Sequence, residues 1–168
     1  SPEGLRALQD EAAKASPVVK SALDLVGKGE MAQARAQLQA ERGKGSRDKG
    51  VYALLADIAL VSGEFQQAIA ITQEALAFAP RDPELLAQLA REQLLADDVE
   101  GAKKTVAQPR EAETAGILVA TGEVARREGL APPALDAFGK ATRAAPADDR
   151  GWYALGRAQG ELEDVKPA

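Results

Sequence analysis

Ser46 and Lys49 are the residues of this sequence whose types and spacing come nearest to a catalytic motif. They form S-x-x-K, a spacing found at the serine nucleophile of some acyl-transfer enzymes. The S-D-N and K-T-G segments that complete such a site are absent from the sequence. Capping of a helix by Ser46 or Asp48 therefore explains the segment better than nucleophilic catalysis does.

Histidine and cysteine are both missing from the chain. Without His, the chain lacks the commonest general base, the commonest imidazole metal ligand and every catalytic triad that is built on His. Without Cys, disulfides and thiolate metal sites are excluded. The glycine spacing around Gly43, Lys44 and Gly45 also fails the phosphate-loop pattern. We therefore expect no enzymatic activity, no cofactor and no metal site.

A basic run could attract nucleic acid or an anionic lipid surface. It consists of Arg42, Lys44, Arg47 and Lys49. No aromatic residue is interleaved for base stacking, and the formal net charge of the chain is -5. The alternative is a solvated turn after a helix C-terminus, where cations are favourable. We favour that alternative and expect no nucleic-acid partner.

An acidic stretch near the end of the chain could coordinate a hard cation. It contains Glu161, Glu163 and Asp164. Carboxylate oxygens are the ligands that Ca²⁺ and Mg²⁺ prefer, but an ordinary charged surface is the alternative that we favour.

Composition indicates which elements would position these side chains. Aromatic residues make up only 4% of the 168 residues, whereas Ala is abundant, and this suits helices that pack closely through small side chains. Extended runs of β-branched and aromatic residues are missing, so we predict an all-α chain. No apolar run approaches the roughly 18 residues that span a bilayer, so we expect no direct membrane insertion.

Two windows of the chain, 49–82 and 115–148, carry small, large and turn residues in the same order. In the first window these residues are Tyr52, Leu55, Ala56, Gly63, Phe65, Ala68, Ala75, Leu76 and Pro80. In the second window they are Leu118, Gly122, Gly129, Ala134, Phe138, Ala141 and Pro146. A further window, 149–168, restarts the pattern as W-x2-L-G with Trp152, Leu155 and Gly156 and contains only a first helix.

Weaker copies occupy the remaining windows. The window 15–48 is a degenerate repeat with Gly29, Ala34 and Leu38 at the equivalent places. The window 83–114 is short and irregular, and Pro109 stands where Ala belongs, so its second helix should end near Gln108. Residues 1–14 predict an additional N-terminal helix that caps the array or is the remnant of a preceding repeat.

This pattern resembles the tetratricopeptide repeat of roughly 34 residues. The resemblance implies an α-solenoid of stacked antiparallel helix pairs that forms a right-handed superhelical arc, with the first helix of each repeat lining a concave groove. Such grooves bind peptides or helices of partner proteins. Chaperone-binding members of the family hold a C-terminal carboxylate with a clamp of Lys and Asn, and this chain contains no Asn.

Carrying over the family's groove-facing places predicts a partner-binding site. Its residues are Asp57, Leu60, Arg91, Leu94, Leu95, Glu123, Arg126, Arg127, Arg150, Tyr153 and Arg157. Arginines gather toward the C-terminal half of this groove beside an apolar strip, so we predict a protein or peptide partner with an acidic or carboxylate end. The alternative is that the arginines only solvate the groove or pair with Asp57 and Glu123.

Two hypotheses for function follow. In the first, the chain is a scaffold that docks a protein segment in the groove. In the second, it is a repeat arm of a larger bacterial enzyme or of an outer-membrane or polysaccharide export protein, to which it recruits components. Exposed ends of the array could also stack on another copy of the chain. A bacterial periplasm and a bacterial cytoplasm remain the alternatives for localisation.

Overall fold

The computed structural model describes residues 14–164, and all regular structure in that range is α-helical. The predicted N-terminal helix thus lies outside the described residues except for Lys14, as do residues 165–168. The helices are α1 (Pro17–Gly27), α2 (Met31–Gly43), α3 (Lys49–Val61), α4 (Phe65–Phe78), α5 (Pro83–Leu95), α6 (Val99–Val106), α7 (Ala115–Arg127), α8 (Ala131–Ala144) and α9 (Asp149–Asp164).

The described residues divide into two compact units, 14–80 and 81–164. In the N-terminal unit, α1 packs on α2, α2 on α3, and α3 on α4. In the C-terminal unit, α5 packs on α6, α7 on α8, and α8 on α9, while α7 also contacts both α5 and α9. The first helices of successive windows therefore lie side by side in the C-terminal unit.

Polar caps start the first helix of four windows. The side chains of Ser16, Asp48, Asp82 and Thr114 each accept a hydrogen bond from a backbone N–H in the first turn of α1, α3, α5 and α7. Asp82 accepts from the backbone N–H groups of Glu84 and Leu85, both at 3.0 Å. The capping predicted for Asp48 is confirmed, and each cap satisfies backbone donors that a helix start leaves unpaired.

Left-handed residues mark the turn between the two helices of a pair. Gly29, Gly63 and Gly129 have φ angles of 78°, 77° and 76°, and Asp97 occupies the same turn in the irregular window with φ 62°. Only glycine adopts this conformation without steric cost, although Asp tolerates it better than most residues. The turns predicted at Gly63 and Gly129 are therefore confirmed.

Small residues sit where the helices come closest together. Ala56, Ala68 and Ala75 are completely buried in the N-terminal unit. In the C-terminal unit, a Cβ added at Gly122 would lie well inside contact distance of the Phe138 ring, which is itself fully buried. This is the close packing that the repeat pattern predicts.

The irregular window differs from its neighbours in its second helix. Helix α6 has 8 residues, whereas α4 and α8 have 14 each. It ends at Val106, close to the predicted end, because Pro109 follows and cannot donate a backbone hydrogen bond. The guanidinium of Arg110 donates to the carbonyl of Val106 and to Glu113, which ties the connecting segment to the end of the helix.

Candidate functional site

A cavity of about 340 Å³ lies within the C-terminal unit, along α5, α7 and α9. We call it the arginine cavity. It is lined by Ala87, Arg91, Leu94, Leu95, Gly116, Val119, Ala120, Glu123, Arg126, Arg127, Arg150 and Arg157. All three contributing helices are the first helices of their windows, so the cavity forms on the face that these helices share.

Helical periodicity brings these side chains to one face. On α7, Gly116, Ala120, Glu123 and Arg127 follow one another at three- and four-residue intervals, and these intervals place them in one stripe. The first turn of α7 lies close to α5 because residue 116 is glycine. A Cβ at Gly116 would come too close to the carboxylate of Glu84 on α5.

Apolar residues form part of the cavity lining. Ala87 and Ala120 are buried at 4% and 7% exposure, and Leu94 and Val119 are partly buried. Leu95 remains 54% exposed although it is a large aliphatic side chain. An apolar side chain of a ligand could therefore cover Leu95 and remove apolar surface from water, which is favourable.

Positively charged residues share the lining with these apolar ones. Five arginines and one glutamate line the cavity, which gives a formal charge of +4 for the lining residues (five minus one), whereas the whole chain carries -5. Guanidinium groups pair with carboxylates through two parallel hydrogen bonds. The arrangement can thus bind an anionic group that is attached to an apolar one.

Glu123 joins two of the arginines. Its carboxylate accepts a hydrogen bond from Nε of Arg126 at 3.0 Å and another from the guanidinium of Arg157. Arg126 also donates to Oε1 of Glu161 at 3.3 Å, outside the lining residues. The pairing of arginines with Glu123 that the sequence left open as an alternative is present in the structure.

Arg127 and Arg150 each pair with a carboxylate outside the cavity lining. Arg127 donates to the carbonyl of Leu94 at 3.2 Å and to Oδ1 of Asp97 at 2.7 Å, near the C-terminus of α5. Arg150 donates to Oδ2 of Asp148 at 2.6 Å. This hydrogen bond from Arg150 lowers the pKa of the Asp148 carboxyl, although partial burial opposes the shift.

The cavity contains most of the predicted partner-binding residues. Tyr153 does not line it: the side chain is 72% exposed, and its ring lies 5.9 Å from the guanidinium of Arg157. Asp57 and Leu60 lie on α3 in the N-terminal unit, where Asp57 is exposed and Leu60 is partly buried. Their predicted role in binding stays a prediction.

Four lining residues lie outside the predicted set: Ala87 and Val119, which do occupy groove-facing places of the repeat, and Gly116 and Ala120, which do not. Gly116 and Ala120 lie one turn from Val119 and Glu123 on the same helix. Counting back one helical turn from Glu123 leads to Ala120, and one further turn leads to Gly116, so the helical period could have identified both residues.

Within 14–164 no group of three or more acidic residues is arranged to hold a metal ion, and no helix there is long and apolar enough to cross a membrane. Of the basic run, Arg42 pairs with Glu74, Lys44 pairs with Glu41 at 3.0 Å, and Arg47 lies over the Phe78 ring.

The chain has the tetratricopeptide-repeat fold, as comparison with solved structures shows. A thermophilic TPR protein of Thermus thermophilus matches with a TM-score of 0.73 at 21% identity, over 92% of this chain and 86% of that chain. YrrB, described as a TPR protein with an unusual peptide-binding site, matches with a TM-score of 0.59 at 17% identity, over 96% and 84%. PilF of Pseudomonas aeruginosa matches with a TM-score of 0.63 at 16% identity, over 86% and 65%. No protein-family model and no curated protein sequence matches the chain.

Proposed function

We propose that this chain is a protein-interaction scaffold whose arginine cavity binds a peptide segment carrying acidic groups beside an apolar side chain. The observation that carries the proposal is the convergence of five arginines from three helices on one cavity that apolar residues also line. The lining residues carry a formal +4 on a chain of net charge -5, and Glu161, Asp97 and Asp148 outside the lining pair with three of its arginines.

The partial burial of the arginines supports binding of carboxylates. The side chains of Arg126, Arg127 and Arg157 are 29%, 33% and 38% exposed. Ion pairs at such positions are screened less by water and salt than those of fully exposed side chains. Charge-assisted hydrogen bonds to a ligand carboxylate are therefore stronger here than at a fully exposed arginine.

The size of the cavity favours one or two side chains of a peptide over a whole globular surface. Its volume of about 340 Å³ lies near the lower end of the usual range for ligand pockets. Because YrrB is described as having a peptide-binding site on the same fold, peptides are the class of ligand to test first.

A calorimetric titration with a short synthetic peptide tests the proposal. The probe is an N-acetylated, C-amidated Glu-Asp-Leu-Asp-Glu peptide, and the comparison probe is its Lys-Lys-Leu-Lys-Lys counterpart. We expect the acidic peptide alone to bind, with an affinity that weakens as salt is raised. The double variant Arg126→Glu, Arg127→Glu should lower that affinity at least about tenfold, because it turns two attractions into repulsions.

A matched variant controls for the change in net charge. Lys104 and Arg143 are exposed, lie in the same unit and do not line the cavity. The double variant Lys104→Glu, Arg143→Glu changes the charge by the same amount and should leave binding nearly unchanged. Equal loss in both double variants would show that only the overall charge matters and would remove the cavity assignment.

A further inference from the structure

Glu123 is the single carboxylate among the described residues that line the arginine cavity. It lies on α7 between the arginines of α7 and α9 and is about one-fifth exposed. An acidic residue at this place is unexpected in a site for acidic ligands, because it repels the group that the arginines attract.

The contacts of Glu123 resemble those that a ligand carboxylate would make. One carboxylate oxygen accepts from Nε of Arg126 at 3.0 Å, and the other accepts from the guanidinium of Arg157. These two arginines come from neighbouring helices, so Glu123 occupies the position of a bridging ligand carboxylate within the protein itself.

We infer that the Glu123 carboxylate competes with a ligand carboxylate for Arg126 and Arg157. It accepts hydrogen bonds from both guanidinium groups when the cavity is empty, and it must give up some of these N–H donors when the ligand binds. This inference rests on the proposed function. As a consequence, a peptide segment with several acidic groups binds, whereas a segment with one carboxylate gains too little binding free energy to displace the Glu123 carboxylate from the arginines. Glu123 thereby sets the charge that a partner needs.

The opposite role, in which Glu123 positions the arginines for the ligand, is disfavoured by their other contacts. Arg126 also pairs with Glu161 at 3.3 Å, and the guanidinium of Arg157 also lies over the Tyr153 ring at 5.9 Å. Each arginine keeps one of these restraints without Glu123. Removal of the Glu123 charge therefore frees N–H donors of Arg126 and Arg157, while the other contacts keep the two arginine side chains in place.

The experiment compares wild type with Glu123→Gln in titrations with the acidic peptide Glu-Asp-Leu-Asp-Glu and with a peptide of one carboxylate, Gln-Asn-Leu-Asp-Gln, both acetylated and amidated. Gln keeps the size of the side chain and one acceptor oxygen but removes the charge. We expect the variant to bind the acidic peptide about two- to fivefold more tightly, as the removal of one partly exposed repulsion allows. We also expect measurable binding of the single-carboxylate peptide to the variant only.

Glu163→Gln is the matched control. Glu163 lies on α9, is exposed and does not line the cavity. This variant makes the same change in net charge and should leave both affinities within about twofold of wild type. A similar gain in both variants would mean that overall charge, and not competition inside the cavity, controls binding.

Unchanged or weaker binding of the acidic peptide by Glu123→Gln would overturn the inference. A loss of structure alone cannot imitate the expected gain in affinity. If wild type and all variants fail to bind the acidic peptide, the proposed function fails. If wild type binds and Glu123→Gln does not improve it, only the role of Glu123 is rejected.

Discussion

At the scale of single residues, Gly122 and Gly156 occupy the same place in successive windows but have different surroundings. A Cβ at Gly122 would meet the Phe138 ring, whereas a Cβ at Gly156 would meet nothing within 4 Å. The difference arises because α8 packs on α7, whereas no second helix follows α9 within the described residues. The same residue type at the same place therefore has two different energetic roles.

We expect Gly122→Ala to lower the free energy of unfolding by about 1–3 kcal/mol, since a buried ring must shift to admit a methyl group. Gly156→Ala is the matched control and should raise stability by about 0.5–1 kcal/mol, because Ala favours the helix. Urea denaturation followed by circular dichroism measures both. Equal effects in the two variants would contradict the packing that we describe.

Asp148 gives a prediction about pH. Its hydrogen bond from Arg150 lowers the pKa of the carboxyl in the folded chain below the ordinary value of about 3.9. The stabilisation is therefore fully present above that ordinary value and is lost as the pH falls through the lower folded pKa. Because the pair is partly exposed, we expect a contribution of only about 0.5 kcal/mol.

The test compares unfolding of wild type and Asp148→Asn at about pH 6 and about pH 2. Oδ1 of Asp148 also accepts a hydrogen bond from the backbone N–H of Arg150 at 2.9 Å, and Asn can still accept that bond but carries no charge for the Arg150 guanidinium to pair with. Wild type should be the more stable of the two at the higher pH, and the difference should shrink at the lower pH. A difference that stays constant would assign the effect to capping alone.

At the scale of the helices, the sequence predicted those features that depend only on residues close together in the chain. Caps such as Asp48 and turns such as Gly63 are local features, so the sequence around each one is sufficient to predict it. The early end of α6 was predictable for the same reason, since Pro109 acts on its own helix. The left-handed Asp97 was not predicted, because an Asp in a turn does not reveal its φ angle.

Ala68 tests the packing between the two helices of a pair. It is fully buried on α4, whereas Ala70 on the same helix is exposed. Ala68→Leu should lower the free energy of unfolding by about 1–3 kcal/mol because the added methyl groups have no space. Ala70→Leu adds the same atoms toward solvent and should change stability by less than about 0.5 kcal/mol. Thermal unfolding of both variants measures the difference.

At the scale of the whole molecule, the sequence predicted the fold and the helices that form the cavity, but not its details. The places carried over from the repeat family brought Arg91, Leu94 and Arg127 into one predicted set, and all three line the cavity. The ion pairs could not be predicted in the same way. Whether Glu123 pairs with Arg126, Arg157 or both depends on the distance between α7 and α9, which no local pattern specifies.

The most direct test of the central claim is a measurement of where on the chain an acidic peptide binds. Backbone amide chemical shifts of the isotope-labelled chain would be followed by NMR while the Glu-Asp-Leu-Asp-Glu peptide is added. We predict that the largest shifts lie on the facing stripes of α5, α7 and α9, around Leu95, Glu123 and Arg157. Shifts confined to α6 and α8, or to α1–α4, would contradict the account, because the arginine cavity would then not be the binding site.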